Sequence, residues 1–346
     1  MKTKLLVLVT MSALLVLLTG IGCAKPAPSP TPAAGPEFEW KFQCAYPVSD
    51  CAYYVTSVES AELIEAGSRG RIEVKAFPEG ELVASDQMID AIMSGAVEGG
   101  VMMPAEMAGI LPAALTLQLP TSAETIDELM ELCYDYGLMD LLRPAFAEHN
   151  LYLMSRPYCG ILTFQSTFPV HHLTDFKGKK IWANNTLVDG FKHFGAVPTF
   201  VPGFDMYTAL KLGTLDGLSW TVGELEYAKF KEVVKYNLDL VLALAGDMVV
   251  INLDAWNALG PDLQKQVQDY YDSHLKKLGE HYAYYDMTSL AAAKEYGVVW
   301  TTLPDDEGKE FFSVQRRFWD QLATKSSLAA KAVEICWDFV KAKGRA

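Results

Sequence analysis

Basic residues are scarce in this chain of 346 residues: 29 Lys and Arg stand against 43 Asp and Glu, a net charge of −14. No long basic block offsets that balance, so the surface repels phosphate backbones and anionic lipid, and nucleic-acid binding is excluded as a function class. Cysteine is also sparse, at six residues, and none has CxxC spacing. A zinc ribbon or a dithiol redox centre therefore has no support. Catalytic signatures are missing too: the chain has no GxSxG elbow, P-loop, GxGxxG after a strand or Cys–His signature. His171-His172 lacks an acid–Cys arrangement, and His274 and His281 share a helix face without an HExxH pattern, so no metal is expected. Beyond Trp40 no apolar run reaches the roughly 20 residues that a bilayer span needs. No internal repeat is present.

What is there begins with a leader. Lys2 and Lys4 precede an apolar run from Leu5 to Leu18, and Gly20-Ile21-Gly22 lead into Cys23. A charged start, an apolar middle and small residues before a cut make residues 1–22 a secretory signal; an uncleaved anchor is the other reading. A cysteine after small residues resembles the bacterial lipobox, although Gly20 sits where Leu is usual, and it makes Cys23 the expected lipidation site. Prolines 26, 28, 30 and 32 then make residues 23–36 an extended, lipid-anchored tether. Loss of the leader takes the net charge from −14 to −16, because two lysines and no acids leave with it. With Cys23 assigned to lipid five cysteines remain, and Cys44 and Cys51 are spaced to bridge a loop or to stay reduced.

The body alternates strands and helices. Trp40–Ala45 looks like a strand, Arg71–Phe77 alternates polar and apolar residues, Val97–Met103 looks like a third strand, and helical stretches follow Asp50 and Ser85. A second series runs through Leu151–Ser155, Lys180–Ala183, Thr199–Val201 and Asp216–Trp220, with helices near 187–194 and 205–212. Repeated βα units predict an α/β protein with mostly parallel sheets flanked by helices. Chain crossings near 156–160 and 245–252 divide it into lobe 1 (37–157), lobe 2 (158–248) and a return with C-terminal helices (249–346). A helix from about Asp262 to Glu295 is roughly 50 Å long at 1.5 Å per residue and would run along both lobes. The interlobe cleft is the natural ligand site.

Three blocks carry a family resemblance. They are Gly70-Arg71-Ile72-Glu73-Val74 with Phe77-Pro78-Glu79-Gly80 and Asp90-Ala91-Ile92-Met93-Ser94-Gly95; Leu173-Thr174-Asp175-Phe176-Lys177-Gly178-Lys179-Lys180-Ile181 with Phe194-Gly195-Ala196-Val197-Pro198; and Tyr207-Thr208-Ala209-Leu210 through Leu215-Asp216-Gly217. Ile251-Asn252 and Trp256 follow in order. Together they resemble the solute-binding proteins of TRAP transporters over about residues 40–260. The resemblance implies a two-lobed, periplasmic-binding-protein-like flytrap outside the cytoplasmic membrane. It would bind a small organic solute, most often a carboxylate, without a cofactor, and deliver it to separate small and large membrane subunits.

Two departures from the family pattern matter. The segment matching Gly178-Lys179-Lys180-Ile181 usually continues with an Arg that grips the ligand carboxylate, and here Trp182 follows. In the branch binding keto acids or lactate, Glu-Trp follows the segment matching Asp216-Gly217 and supplies a metal-ligand carboxylate; here Ser219-Trp220 stands close behind. A missing bidentate contact forfeits about 1.5–3 kcal/mol. The expected solute is thus bulkier or more aromatic than a C4 dicarboxylate, with at most one carboxylate. Trp182 and Trp220 offer aromatic faces, Arg156 is the replacement cation, and Tyr158, Asn184, Ser219 and Asn252 offer hydrogen bonds. Met103 and Glu106 follow a strand end where α/β clefts gather contacts. Packing is the alternative for the tryptophans and methionines, a salt bridge for Arg156, and a buried backbone contact for Asn252. A receptor-docking ligand sensor, and more remotely a secreted hydrolase, are the other function classes.

Overall fold

The computed structural model describes residues 35–45 and 52–345; the leader, Cys23, the tether and Cys51 lie outside them. Among the described residues, eleven strands form two sheets. The first contains β1 (Phe38–Cys44), β2 (Ile72–Phe77), β3 (Gly99–Met102), β4 (Leu151–Ser155) and β10 (Met248–Asn252), in the order β2-β1-β3-β10-β4. The second contains β5 (Tyr158–Ser166), β6 (Lys180–Trp182), β7 (Val197–Pro198), β8 (Gly217–Thr221), β9 (Tyr236–Gly246) and β11 (Val299–Thr301), in the order β11-β9-β5-β8-β6-β7.

Both sheets are mixed. The βα repeats give the parallel pairs β1–β2, β1–β3, β6–β7 and β6–β8, and β11 joins β9 in parallel. Antiparallel pairs appear where β10 enters the first sheet and β5 the second. The cause is geometric. The chain leaves the first sheet through β4 into β5 and returns through β9 into β10, so outgoing and returning strands must run in opposite directions. The crossings are only two residues long at Arg156-Pro157 and one at Asp247.

Each sheet buries apolar side chains on its faces. Trp40, Phe42, Val101, Leu153 and Val250 belong to the first core. In the second sheet the pleat sends successive residues to opposite sides. Phe164 and Ile181 join Phe176, Phe191 and Phe311 on one face, while Leu218 joins Met206, Leu210 and Val222 on the other. A 36-residue helix, Pro261–Tyr296, spans about 54 Å at 1.5 Å per residue. Proline in its first turn suits the free N–H positions there, and Gly297 ends it in the left-handed conformation. Its first half buries Leu263, Val267 and Tyr271 in the first core, and Leu290 and Ala293 pack in the second. The helix therefore braces both lobes across the crossings.

Candidate functional site

Topology brings one end of each sheet to the crossings. Met248 pairs with Met102, and Val249 with Ser155, at the C-terminal ends of β3 and β4. Tyr158 pairs with Gly246, and Leu162 with Thr221 at the C-terminal end of β8. Parallel strands from both lobes thus point their C-terminal ends at the same hinge, the place where open α/β sheets gather ligand contacts. The segments that follow those ends supply the side chains: Tyr53 in the helix Ala52–Ser68, Glu106 in the turn Pro104–Met107, and Glu224 in the turn Val222–Leu225.

The crossings themselves are held by polar groups in the dry interior. Arg156 is buried, and its Nε and Nη2 donate to the carbonyls of Leu117 and Leu244 at 2.8 and 2.7 Å, with Nη1 at 3.5 Å from Ala245 O. A Cβ on Gly246 would lie 2.2 Å from the guanidinium carbon, so only glycine lets the guanidinium lie against the strand. The donor fork needed for a carboxylate is already occupied by main chain. Burial lowers the Arg156 pKa, countered in part by neighbours that include Asp247.

A second fastening sits one strand turn away. Asp286, on the long helix and 4% exposed, accepts hydrogen bonds from the Tyr158 hydroxyl and from Ile161 N at 3.0 Å. Gly160 between those donors has φ +124°, and a Cβ there would meet Asp286 Oδ1 and Thr221 Cγ2 at 3.1 Å. Burial pushes the Asp286 pKa up to about 7, and the two hydrogen bonds limit the rise. Ser289, one turn on, donates to Gly223 O at 3.0 Å and ties the helix to the turn carrying Glu224.

The crevice side of the hinge is acidic. Asp247 fills the return crossing, with its Oδ2 3.8 Å from Cys159 Sγ. The buried Tyr53 phenol has its pKa raised well above the usual value, first by burial and then by Asp247, Cys159 and Glu224. Glu106 is pushed up to about 8, by burial first and by the charge of Asp247 next. Thr221 lies within hydrogen-bonding reach of the Tyr53 phenol, a contact that limits the rise of the phenol's pKa.

The residues singled out in the sequence fall into three groups. Trp182 and Trp220 come together, with ring centroids 4.7 Å apart at 52°, half-buried beside the core containing Val222 and Leu225. Met103, 40% exposed, and half-buried Glu106 lie at the end of β3. The remainder serve the framework in this geometry. Tyr158 donates to Asp286, and Asn252 caps the helix Leu253–Ala258 through Ala255 N while donating to Ile92 O. Asn184 Oδ1 accepts the Thr186 hydroxyl. Ser219 pairs with Phe164 across the strands, so the pleat sends it to the opposite face from Trp220, where its buried Oγ has no partner among the described residues. His172 and His281 pair with Glu307 and Glu59 at 2.8 and 2.9 Å, and no group of three or more His, Cys, Asp or Glu is placed to hold a metal among the described residues. Cys44 Sγ takes the Ser57 hydroxyl at 2.9 Å, while its proposed bridge partner Cys51 lies outside the described residues.

Tyr53, Asp247, Glu224, Thr221 and Asp286 were not legible as site residues. Two carried a usable signal: Asp247 is an acid inside the apolar stretch Leu240–Ile251, and Glu224 follows a strand end by three residues. Nothing in the spacing of Asp286 along its helix distinguishes it from the other acids there.

Comparison with known proteins fits this architecture. Residues 52–326 match the family model of bacterial extracellular solute-binding proteins, family 7. The ectoine-binding periplasmic protein of Halomonas elongata is 26% identical over 264 residues, 72% of this chain and 74% of that one. The sialic acid-binding periplasmic protein of Vibrio cholerae is 27% identical over 224 residues, 62% of this chain and 68% of that one. Among solved structures, a TRAP periplasmic solute-binding protein of Ochrobactrum anthropi superimposes with a TM-score of 0.78 at 23% identity, covering 90% of this chain and 97% of the other. A Desulfovibrio salexigens homologue with bound orotic acid gives 0.77 at 20% identity, covering 87% and 98%. With two sheets joined at a double crossing and a family match over most of its length, the chain belongs to the family 7 bacterial extracellular solute-binding proteins.

Proposed function

We propose that this protein captures a small organic solute in the crevice at the C-terminal strand ends and passes it to TRAP small and large membrane subunits. The observation that carries the reading is the double crossing at Arg156-Pro157 and Asp247: two sheets joined there by such short segments can hinge over a guest and open again. Trp182, Trp220, Tyr53, Met103 and Glu106 are the proposed contacts. The step is conformational and makes or breaks no bond, so the protein acts as a receptor rather than an enzyme. Outside the cytoplasmic membrane it is held by a lipid on Cys23; no helix among the described residues is long and apolar enough to cross a bilayer. The named relatives bind ectoine and sialic acid, which supports a small polar organic guest here.

The test is mass spectrometry of any molecule released from denatured protein, followed by its re-addition in a thermal melt. A guest that binds only the folded form stabilises it by about 2.7 kcal/mol at a hundredfold excess over Kd. Recovery of one small molecule that raises the melting temperature supports capture. Absence of any bound or stabilising molecule, or turnover of an ester or peptide panel, contradicts it.

A further inference from the structure

The second sheet is uneven at the end that carries the aromatic pair. β6 stops at Trp182, which pairs with Leu218, so Ser219, Trp220 and Thr221 run on with β5 alone beside them. Cross-strand pairing puts Trp182, Leu218 and Gln165 on one face, and Trp220, two residues beyond Leu218, shares it. Gln165 is fully buried there, and its Nε2 donates to Trp220 O at 3.3 Å and to Thr221 O at 3.1 Å. Carbonyls only accept, so the amide nitrogen must be the atom that faces them. The two residues held in this way are the ones that matter at the crevice. Trp220 meets Trp182 with ring centroids 4.7 Å apart, and Thr221 lies within hydrogen-bonding reach of Tyr53 on the helix Ala52–Ser68.

Resting on the solute-capture reading, we propose that Gln165 is a positioning residue for the solute seat: by holding the end of β8 it sets Trp220 against Trp182 and Thr221 beside Tyr53. Packing alone does not call for an amide here. Its Oε1 is buried without a hydrogen-bond partner among the described residues, a cost that a leucine or methionine of similar volume would not carry. Nor do the polar neighbours on this face call for it. Thr163 donates to Asn237 Oδ1 at 2.6 Å, and Asn237 Nδ2 is 3.4 Å from Leu238 O, so that pair is served without Gln165. What the amide does serve is two successive carbonyls at the end of a strand whose other neighbour has already stopped. Without it the end of β8 keeps its pairing to β5 but loses the hold that fixes the Trp220 ring.

Fluorine NMR of the full mature chain labelled with fluorotryptophan tests the proposal, with the Trp182 and Trp220 resonances assigned through Trp182→Phe and Trp220→Phe. Gln165→Met keeps the volume and removes the donors. It should move both resonances while those of Trp40, Trp256 and Trp319 in the first core stay in place. Thr301→Val deletes a buried hydroxyl on β11 of the same sheet and should leave the pair unmoved. Gln165→Asn, whose shorter arm withdraws the amide, should move the same two resonances and decides the matter if Gln165→Met does not fold. In the parent, the Gln165 side-chain amide should exchange with solvent far more slowly than exposed glutamine amides, and fast exchange overturns the proposal. So do unmoved Trp182 and Trp220 resonances in a folded Gln165 variant, or a shift of equal size in Thr301→Val. These readings need no solute, so they stand apart from capture itself. Where the parent releases a bound molecule on denaturation, Gln165→Met should release less of it and Thr301→Val as much. Equal release from all three overturns the role in the seat and leaves capture standing, whereas no release even from the parent counts against capture alone.

Discussion

Two carboxyls of this molecule have the same chemistry and opposite surroundings. Asp286 and Glu106 are both pushed up by burial, to about 7 and about 8. Asp286 has two donors, Tyr158 Oη and Ile161 N, and the hydrogen bonds offset part of the burial cost. Glu106 has Met103 N–H in its favour, but Asp247 and Glu79 add like charge. The first arrangement is complete without a guest and fastens the hinge. The second is short of positive charge and suits a place where something arrives.

The largest effect should come from the hinge. Arg156→Met removes the donors from buried carbonyls and should destabilise the protein by about 3–5 kcal/mol in urea unfolding. Asp286→Ala leaves the Tyr158 hydroxyl and Ile161 N–H unpaired and should cost about 2–3 kcal/mol. Glu106→Gln should cost little or even stabilise, which is how the contrast between the two carboxyls can be broken.

The pH dependence sharpens the same contrast. In the unfolded chain Asp286 and Glu106 titrate near their ordinary 3.8 and 4.5, whereas the folded protein holds those protons up to about 7 and about 8. Their contribution is thus fully present below about pH 4 and is lost as pH rises through neutrality, by up to about 1.4 kcal/mol per pH unit for each group. Asp286→Asn should flatten the slope below pH 7, and Glu106→Gln the part reaching pH 8. A stability that rises with pH across that window in both variants and parent would contradict the assignments. The smallest expected effect is Trp182→Ala, which removes one ring of the tilted aromatic pair. It should weaken solute binding by about tenfold, a loss near 1.4 kcal/mol, while changing the unfolding midpoint only modestly.

The alternating segment Arg71–Phe77 and the long helix were legible because their periodicity follows from which face is buried. Thr199–Val201 was expected as a strand, but the strand β7 lies at Val197–Pro198 instead, one edge pair short enough to leave little pattern. The crossing strands β5 and β9 escaped notice because Tyr158–Ser166 and Tyr236–Gly246 are buried along most of their length and lack alternation. The same holds at the site. Trp182 and Trp220 could be found because a resemblance placed them, and they do meet. Arg156 stood out as the replacement cation, yet its role depends on carbonyls 39 and 88 residues away, which no local pattern reveals.

The most direct test of the central claim is a crystal structure of the protein with the solute it carries when purified. The account predicts a single small molecule between the two sheets, touching Tyr53 or Glu106 from one side and Trp182 or Trp220 from the other. Density for a solute seated away from the crossings, or an identical relation of the two sheets with and without it, would contradict the account.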